Sequence, residues 1–490
     1  MRMRSISSVA IAGGGIVAWS AAAAIRRRLP AIRVTVVPLP VAPDALADRQ
    51  GSTLPSIVDF HQDIGLTEAD TVVRAGSGFR LGTCFEGWSS LPDYVHAYGE
   101  YGRTLPATAF HQHWLRSREL GEAAPFDEYS VGAAMAASGR FLPPEQIPAS
   151  RVSNYAYGLH IDPPRYREMM RAFALHLGAE ESDAAIADVR LRKDGFIHTL
   201  VTDGGGEVRA DLFIDASGPK ARIRKEVDGC REDWSRHFAV DRLVIADEPS
   251  SSEPSALDHA KAFESGWTWR STSPVRTSKG VAYSSAHLDD AQASEHIGGN
   301  GAIALSPSRL TNPWVRNCVA IGDAAVTIEP LEWTNLHLAH SAIDRLVAMM
   351  PDADCNPTEL WDYNRQTNAE IDRARDFVLL HYATSNRPEP FWRDASSRPL
   401  PSSLEHTLLQ WRERGRLPFF EEETFARDSW AAVLIGQGVI PRRMDPLMTS
   451  IPERESARSM EQLRSAIQSA VAQAPPQGVY LRNLSIQGTR

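Results

Sequence analysis

The chain has 490 residues, with 52 Lys and Arg against 61 Asp and Glu and a formal net charge of −9. That length exceeds one ordinary domain of roughly 100–200 residues, and 43% hydrophobic with 23% charged residues excludes a disordered or low-complexity chain. The acidic balance excludes a protein that holds nucleic acid through clustered cations. The four cysteines, Cys84, Cys230, Cys318 and Cys355, form no C-x-x-C pair, so they signal neither a zinc site nor a disulfide framework, and a cytoplasmic location is expected.

The first element to explain is the N-terminus. Met1-Arg-Met-Arg followed by the apolar run Val9 to Ala24 has the outline of a secretory signal peptide. Against that reading, Gly13, Gly14 and Gly15 interrupt the run, Arg26-Arg27-Arg28 follows it, and Ile32 to Val37 reads as a buried strand. Strand, Gly-rich turn, helix and strand is the alternative, and it is a G-x-G-x-x-A form of the dinucleotide fingerprint. Gly13 would make the tight turn, Gly15 would let the backbone approach a diphosphate, and Ala18 would let the helix pack closely on the strand. The acid that should bind the ribose is missing, because the second strand ends Val36-Val37-Pro38-Leu39-Pro40. No stretch reaches 18 uninterrupted apolar residues, so no transmembrane helix is predicted.

Further along, Phe110-His111-Gln112-His113-Trp114 places two His two apart, without a third ligand nearby, so no metal is expected and a lining of the substrate lobe is the reading. Glu207 to Gly218 contains Phe213-Ile-Asp215-Ala-Ser-Gly218, an apolar strand with a polar turn. Asn317-Cys-Val-Ala-Ile-Gly322-Asp323 is another, followed by a helix predicted from about Leu331 to Met350. Three such separated pieces resemble the FAD domain of glutathione-reductase-type enzymes, in which the acid at the Asp323 position contacts the ribityl chain. The stretch Asn386 to Pro401 is a loop by composition, and the polar tail beyond Pro452 holds an amphipathic helix around Glu461 to Gln468.

The segments also resemble, in order and over roughly residues 8 to 447, the flavin-dependent tryptophan halogenases. Gly51-Ser-Thr-Leu-Pro-Ser56, Gly78-Phe-Arg80-Leu-Gly-Thr-Cys-Phe-Glu-Gly-Trp88, Tyr155 to Asp162, Gly266-Trp267-Thr-Trp269, Glu329-Pro-Leu-Glu332-Trp333-Thr334, Asp376 to Tyr382 and Gly436-Gln437-Gly438 carry the resemblance. It implies an α/β, FAD-binding Rossmann-like flavoprotein monooxygenase fold with an interleaved, mostly helical substrate lobe. The FAD lobe is expected from about 5–60, 150–235 and 310–350, the substrate lobe from 61–149, 236–309 and 351–450, and a polar tail over 451–490.

In that family reduced FAD, supplied by a separate flavin reductase, reacts with O₂, and the resulting hydroperoxide oxidises chloride or bromide to hypohalous acid. A Lys captures the oxidant, and a Glu stabilises or deprotonates the arenium ion formed from an indole or other electron-rich aromatic, as a small molecule or in a peptide. The resemblance therefore assigns Gly13, Gly15, Ala18, Gly322 and Asp323 to FAD, Thr334 and Asn335 to halide through their backbone, and Arg80 and Glu332 to catalysis. It makes Trp267 and Trp269 a wall between cofactor and substrate, with Trp333 filling space near the halide and oxidant path, while His111 and His113 remain candidate lining of the substrate lobe. A homodimer is the candidate assembly.

Several positions depart from the family pattern. Arg80 stands where the family has Lys, and a guanidinium cannot act as a neutral amine nucleophile, so it is left a hydrogen-bonding role toward the oxidant or an ion pair with Glu332. Trp333 replaces a Ser, Trp269 is followed by Arg270-Ser271-Thr272 in place of x-Ile-Pro, and Gly51 replaces an acid. Two alternatives stay open at this level: a halide-independent monooxygenase or oxidase, and a catalytically impaired binding homologue.

Overall fold

The computed structural model describes residues 4–103, 108–147, 152–250, 253–450 and 452–488. The chain divides into two compact units, each assembled from three separated segments: 1–76, 161–235 and 303–372 in one, 77–160, 236–302 and 373–490 in the other.

The first unit is built on a mainly parallel sheet. Ser8–Ala12 lies at its centre, flanked by Arg33–Val37 and Glu180–Glu181 on one side and by Leu212–Asp215, Cys318–Ala320 and Trp314–Val315 on the other. The pairings run Val9 to Val34 and Val9 to Leu212, both parallel, and only the Trp314–Cys318 hairpin is antiparallel. Near-continuous apolar runs such as Val-Ala-Ile-Ala suit a strand covered on both faces. On one face the helix Ile16–Arg28 packs against Pro163–His176 and Thr334–Ala348. On the other, the antiparallel meander Ile186–Leu191, Ile197–Thr202 and Glu207–Val208 closes a core of Ala10, Ala12, Val37, Phe213, Ile197 and Leu200. The apolar N-terminal run is thus the middle of a folded sheet, and the signal-peptide outline reflects a short strand joined to an Ala-rich buried helix.

The second unit is organised round a sheet whose strands run in the order Arg242–Pro249, Arg276–Tyr283, Gly266–Thr272, Leu257–Phe263, Gly82–Glu86 and Tyr94–Ala97. All neighbours are antiparallel except Leu257–Phe263 with Gly82–Glu86. Helices supply most of the remaining structure. Beyond Pro452 the amphipathic helix expected around Glu461 to Gln468 is present and longer, Glu453–Gln473, and is followed by Gln477–Gly488; it packs its buried Met460, Leu463, Ile467 and Val471 on Phe110–Glu119 and Val131–Ala137, so the polar segment is part of the folded unit. Residues 386–401, a loop by composition, contain the helix Pro390–Ser397, begun by Pro390 at a position where its missing N–H is harmless and anchored by buried Phe391 and Trp392.

Candidate active site

In the first unit the Gly13–Gly15 turn follows the central strand. Gly13 has φ +152°, its N–H donates to the Val37 carbonyl at 3.1 Å, and a Cβ there would lie 2.5 Å from the Ala216 carbonyl oxygen. It would also lie 3.1 Å from the Ala18 Cβ, so glycine at 13 and alanine at 18 are both demanded by close approach of turn and helix. Gly15 is the N-cap of Ile16–Arg28 and offers no side-chain cap.

The space above Gly15 holds the Asp48 carboxyl group, whose atoms would lie 2.3 Å from a Cβ at Gly15. Asp48 Oδ1 accepts the Val17 N–H at 2.9 Å. Although the residue is half-buried, enclosure of its carboxyl end raises the pKa to about 6, opposed by the Val17 and Ile16 N–H groups and by Arg167.

A second acid closes the same end of the sheet. Cys318–Ala320 runs into a single turn, Gly322–Ala324, where Asp323 Oδ2 accepts the Ala47 N–H at 2.7 Å. Burial raises Asp323 to about 8, with Asp48 and Asp44 adding repulsion. Gly322 has φ +59° and packs on Val17. A cleft lined by Asp44, Leu46, Pro219, Asp323, Thr327 and Ile328 opens beside this turn. Asp215, at the end of the neighbouring strand, instead ties its own loop: it accepts from the N–H groups of Ser217, Ile223 and Arg224 at 3.0, 2.8 and 2.8 Å.

The segment after Asp323 carries the most unusual backbone of this unit. Glu332 (φ 64°) and Trp333 (φ 59°) are consecutive non-glycine residues in the left-handed region, each costing roughly 1–2 kcal/mol. The helix predicted from Leu331 starts at Thr334 because of this double kink. It begins without a side-chain cap, so its first N–H groups and the positive end of its dipole are presented by Thr334 and Asn335. Both residues are buried, and Asn335 Nδ2 donates to the Ile328 carbonyl at 3.0 Å. Trp333 is buried as well, at 4% exposure.

In the second unit Arg80 is fully buried and belongs to a charged network that its strand alone does not reveal. Its Nε donates to Asp258 Oδ2 at 2.5 Å and its Nη2 to Thr83 Oγ1 at 2.7 Å, and its guanidinium stacks over Tyr98 at 5.0 Å. His160 Nε2 lies 2.8 Å from Asp258 Oδ1. Burial alone would raise the Asp258 pKa, but Arg80, His160 and Ser271 hold this carboxyl well below the usual range. Asp258 was not anticipated. The sequence signal was present: along Leu257–Phe263 it shares the parity of Ala260 and Ala262, which places an acid on an apolar face.

Trp267 and Trp269 also sit on that face. Their cross-strand partners are small, Ala262 and Ala282 for Trp267, Ala260 and Gly280 for Trp269. The two rings lie 5.6 Å apart, Trp267 Nε1 donates to Tyr382 Oη at 2.8 Å, and Trp88 packs against both Trp267 and Tyr382. His111 and His113 are held differently from a ligand-lining pair. Both ring nitrogens of His113 engage protein hydroxyls, those of Thr108 and Ser456, each at 2.8 Å, and His111 Nε2 meets the Gly415 carbonyl at 2.8 Å. Burial lowers both pKa values, that of His113 to about 4. Among the described residues, the trio with donor atoms close enough to share a metal is Cys84, Glu86 and His259. Strand parity puts it on the face opposite the tryptophans.

A family model described as "Tryptophan halogenase" matches residues 8–453. The chain belongs to the tryptophan halogenase family. It is an FAD-dependent enzyme of the halogenase type; the glycine turn and the close packing of Ala18 on it suit a diphosphate, while the Asp48 carboxyl fills the space over Gly15. Two solved structures align over 98% of this chain and 99% of theirs with TM-scores of 0.92: BrvH, a flavin-dependent halogenase from Brevundimonas sp. BAL3, at 34% identity, and Xcc4156, a flavin-dependent halogenase from Xanthomonas campestris, at 31%. Tryptophan 7-halogenase RebH of Lentzea aerocolonigenes is 25% identical over 94% of this chain and 95% of its own length. No helix among the described residues is long and apolar enough to cross a membrane.

Proposed function

We propose that this halogenase acts in the cytoplasm on an indole or other electron-rich aromatic, free or within a peptide, with reduced FAD supplied by a separate flavin reductase. When bound, the reduced cofactor supplies, with O₂, the two electrons' worth of oxidising power that turns chloride or bromide into hypohalous acid. The chain's own residues do the rest. Thr334 and Asn335 hold the halide on their backbone N–H groups, and Arg80 orients the hypohalous acid as a hydrogen-bond donor. The aromatic ring takes up the halogen as hydroxide leaves, and Glu332 stabilises the cationic ring, receives the proton whose loss restores aromaticity and passes it on to the hydroxide, which becomes water. Trp267 and Trp269 keep water from the oxidant's path.

The observation that carries this reading is the double left-handed kink at Glu332 and Trp333 before the uncapped helix. Two strained non-glycine residues side by side persist only where the surrounding fold enforces them, and the helix that follows begins at buried Thr334 and Asn335 with no side-chain cap, which supports a main-chain anion site there. The Arg80–Asp258 pair fits the hydrogen-bonding role over a covalent one, because a guanidinium anchored at Nε by a carboxylate stays cationic and fixed in direction.

The test supplies the protein with FAD, NADH, a flavin reductase and bromide, and analyses a panel of indoles by mass spectrometry. Brominated product that disappears without halide supports the proposal. Halide-independent oxygenated product, or consumption of NADH with no change in any aromatic, overturns it. Arg80→Lys adds a second reading: a rise in halogenation would show that an amine does the task better, and a fall would show that this site is built for the guanidinium.

A further inference from the structure

The helix Ile16–Arg28 starts at a glycine that supplies no cap of its own and should receive the diphosphate of FAD, yet this chain already places an anion there. Asp48 lies 31 residues beyond Val17 and reaches back to accept its N–H at 2.9 Å, filling the space that only a glycine at position 15 leaves open. The carboxyl is held in place by its short turn, Leu46–Asp48, because the adjacent Ala47 N–H is fixed by Asp323. Gly15 is therefore required by the chain's own Asp48 as much as by any ligand. The nearby cleft carries two further acids, Asp44 and Asp323, among its lining residues.

We propose that Asp48 is a built-in occupant of the diphosphate subsite, and that FAD enters only when this carboxyl is displaced or neutralised, so that removing the acid or lowering the pH tightens cofactor binding. The inference rests on assigning the diphosphate to the Gly13–Gly15 turn. Two anions compete for one helix terminus, whose preference is set by the N–H groups and the dipole. The diphosphate diester of FAD keeps its charge throughout the neutral range, so the proton must go to the protein. The groups facing Asp48 are Arg167 from Pro163–His176, which favours the carboxylate, and Asp323 from Gly322–Ala324, which opposes it and is itself repelled by Asp44. The helix Ile16–Arg28 brings no acid in its first turn. Such a device keeps the helix end satisfied before the cofactor arrives and makes the flavin readily exchanged, which suits an enzyme that receives reduced FAD from elsewhere and returns it oxidised.

The experiment measures oxidised FAD binding to purified protein between pH 5.5 and 8.5 by quenching of flavin fluorescence, with ADP as competitor. With an acid titrating near 6, the wild-type Kd should be nearly flat below that pH and weaken about tenfold per pH unit above it. Asp48→Asn should bind at least tenfold tighter at pH 7.5 and lose that slope. Asp48→Ala, which also removes the cap, serves as a second variant, and thermal unfolding of both checks that they fold. Asp323→Asn separates the two acids, since its own step belongs near pH 8. If ADP competes with FAD but neither Asp48 variant binds more tightly, the diphosphate sits at the turn and the role of Asp48 is overturned. If ADP fails to compete and Gly13→Val binds FAD as the wild type does, the assignment of the turn itself has failed, and the proposal with it.

Discussion

Replacing Asp258 by Asn is the sharpest perturbation of the second unit. Arg80 is 0% exposed and Asp258 1%, and the carboxylate accepts from Arg80 Nε at 2.5 Å while its other oxygen meets His160 at 2.8 Å. An amide keeps the shape but not the charge, and its NH₂ end turns a donor toward either Arg80 or His160. Removing one partner from a buried ion pair costs about 3–5 kcal/mol, far more than an exposed pair of the same geometry. Urea unfolding followed by far-UV circular dichroism and tryptophan fluorescence would measure it, fitting each transition separately because the two units need not unfold together. The same acid makes a pH statement: its folded pKa is depressed, so its stabilisation is complete above the ordinary carboxylate range near 4 and is lost as pH falls through lower values. A double-mutant cycle of Arg80→Met with Asp258→Asn should show coupling of at least about 2 kcal/mol. A loss below about 1 kcal/mol in Asp258→Asn would falsify the view that this carboxylate is the main anchor of Arg80.

Three further outcomes follow from individual contacts. His61 is buried against Tyr166, and desolvation lowers its pKa to about 3, so its neutral form stabilises the fold above pH 6.5 and that contribution falls away as pH drops toward 3. At pH 5 the loss amounts to about 2 kcal/mol, and urea titrations at pH 7 and 5 should show a steeper decline for the wild type than for His61→Gln. Gly280→Ala would put a methyl 1.9 Å from the Trp269 ring; displacement of the indole should cost about 1–3 kcal/mol and shift the emission spectrum, and an unchanged spectrum with unchanged stability argues against the packing described. Tyr382→Phe removes the acceptor of the Trp267 indole N–H, an expected loss of about 1–2 kcal/mol in a buried site, measured by the same titration, with no change in stability as the contrary result.

What the sequence determined by itself was everything carried by short-range pattern. Apolar runs, turn glycines and residue parity located Ser8–Ala12, the Gly13 turn, Ile16–Arg28 and the shared face of Trp267 and Trp269, because the local backbone period alone decides them. The motif string from Gly13 to Gly438 likewise led to the family that the matching model then showed. The helix at Pro390–Ser397 was obscured by proline-rich composition, whereas the amphipathic pattern round Glu461 to Gln468 marked the helix Glu453–Gln473 but not its length or the helices it packs on, since burial depends on neighbours far along the chain. Tertiary structure alone decided who partners whom. Asp258 reaches Arg80 across 178 residues, His113 meets Ser456 across 343, and Asp48 folds back onto the helix it caps. These choices follow from the need to satisfy each buried charge and polar atom, and that need arises only once packing has taken water away.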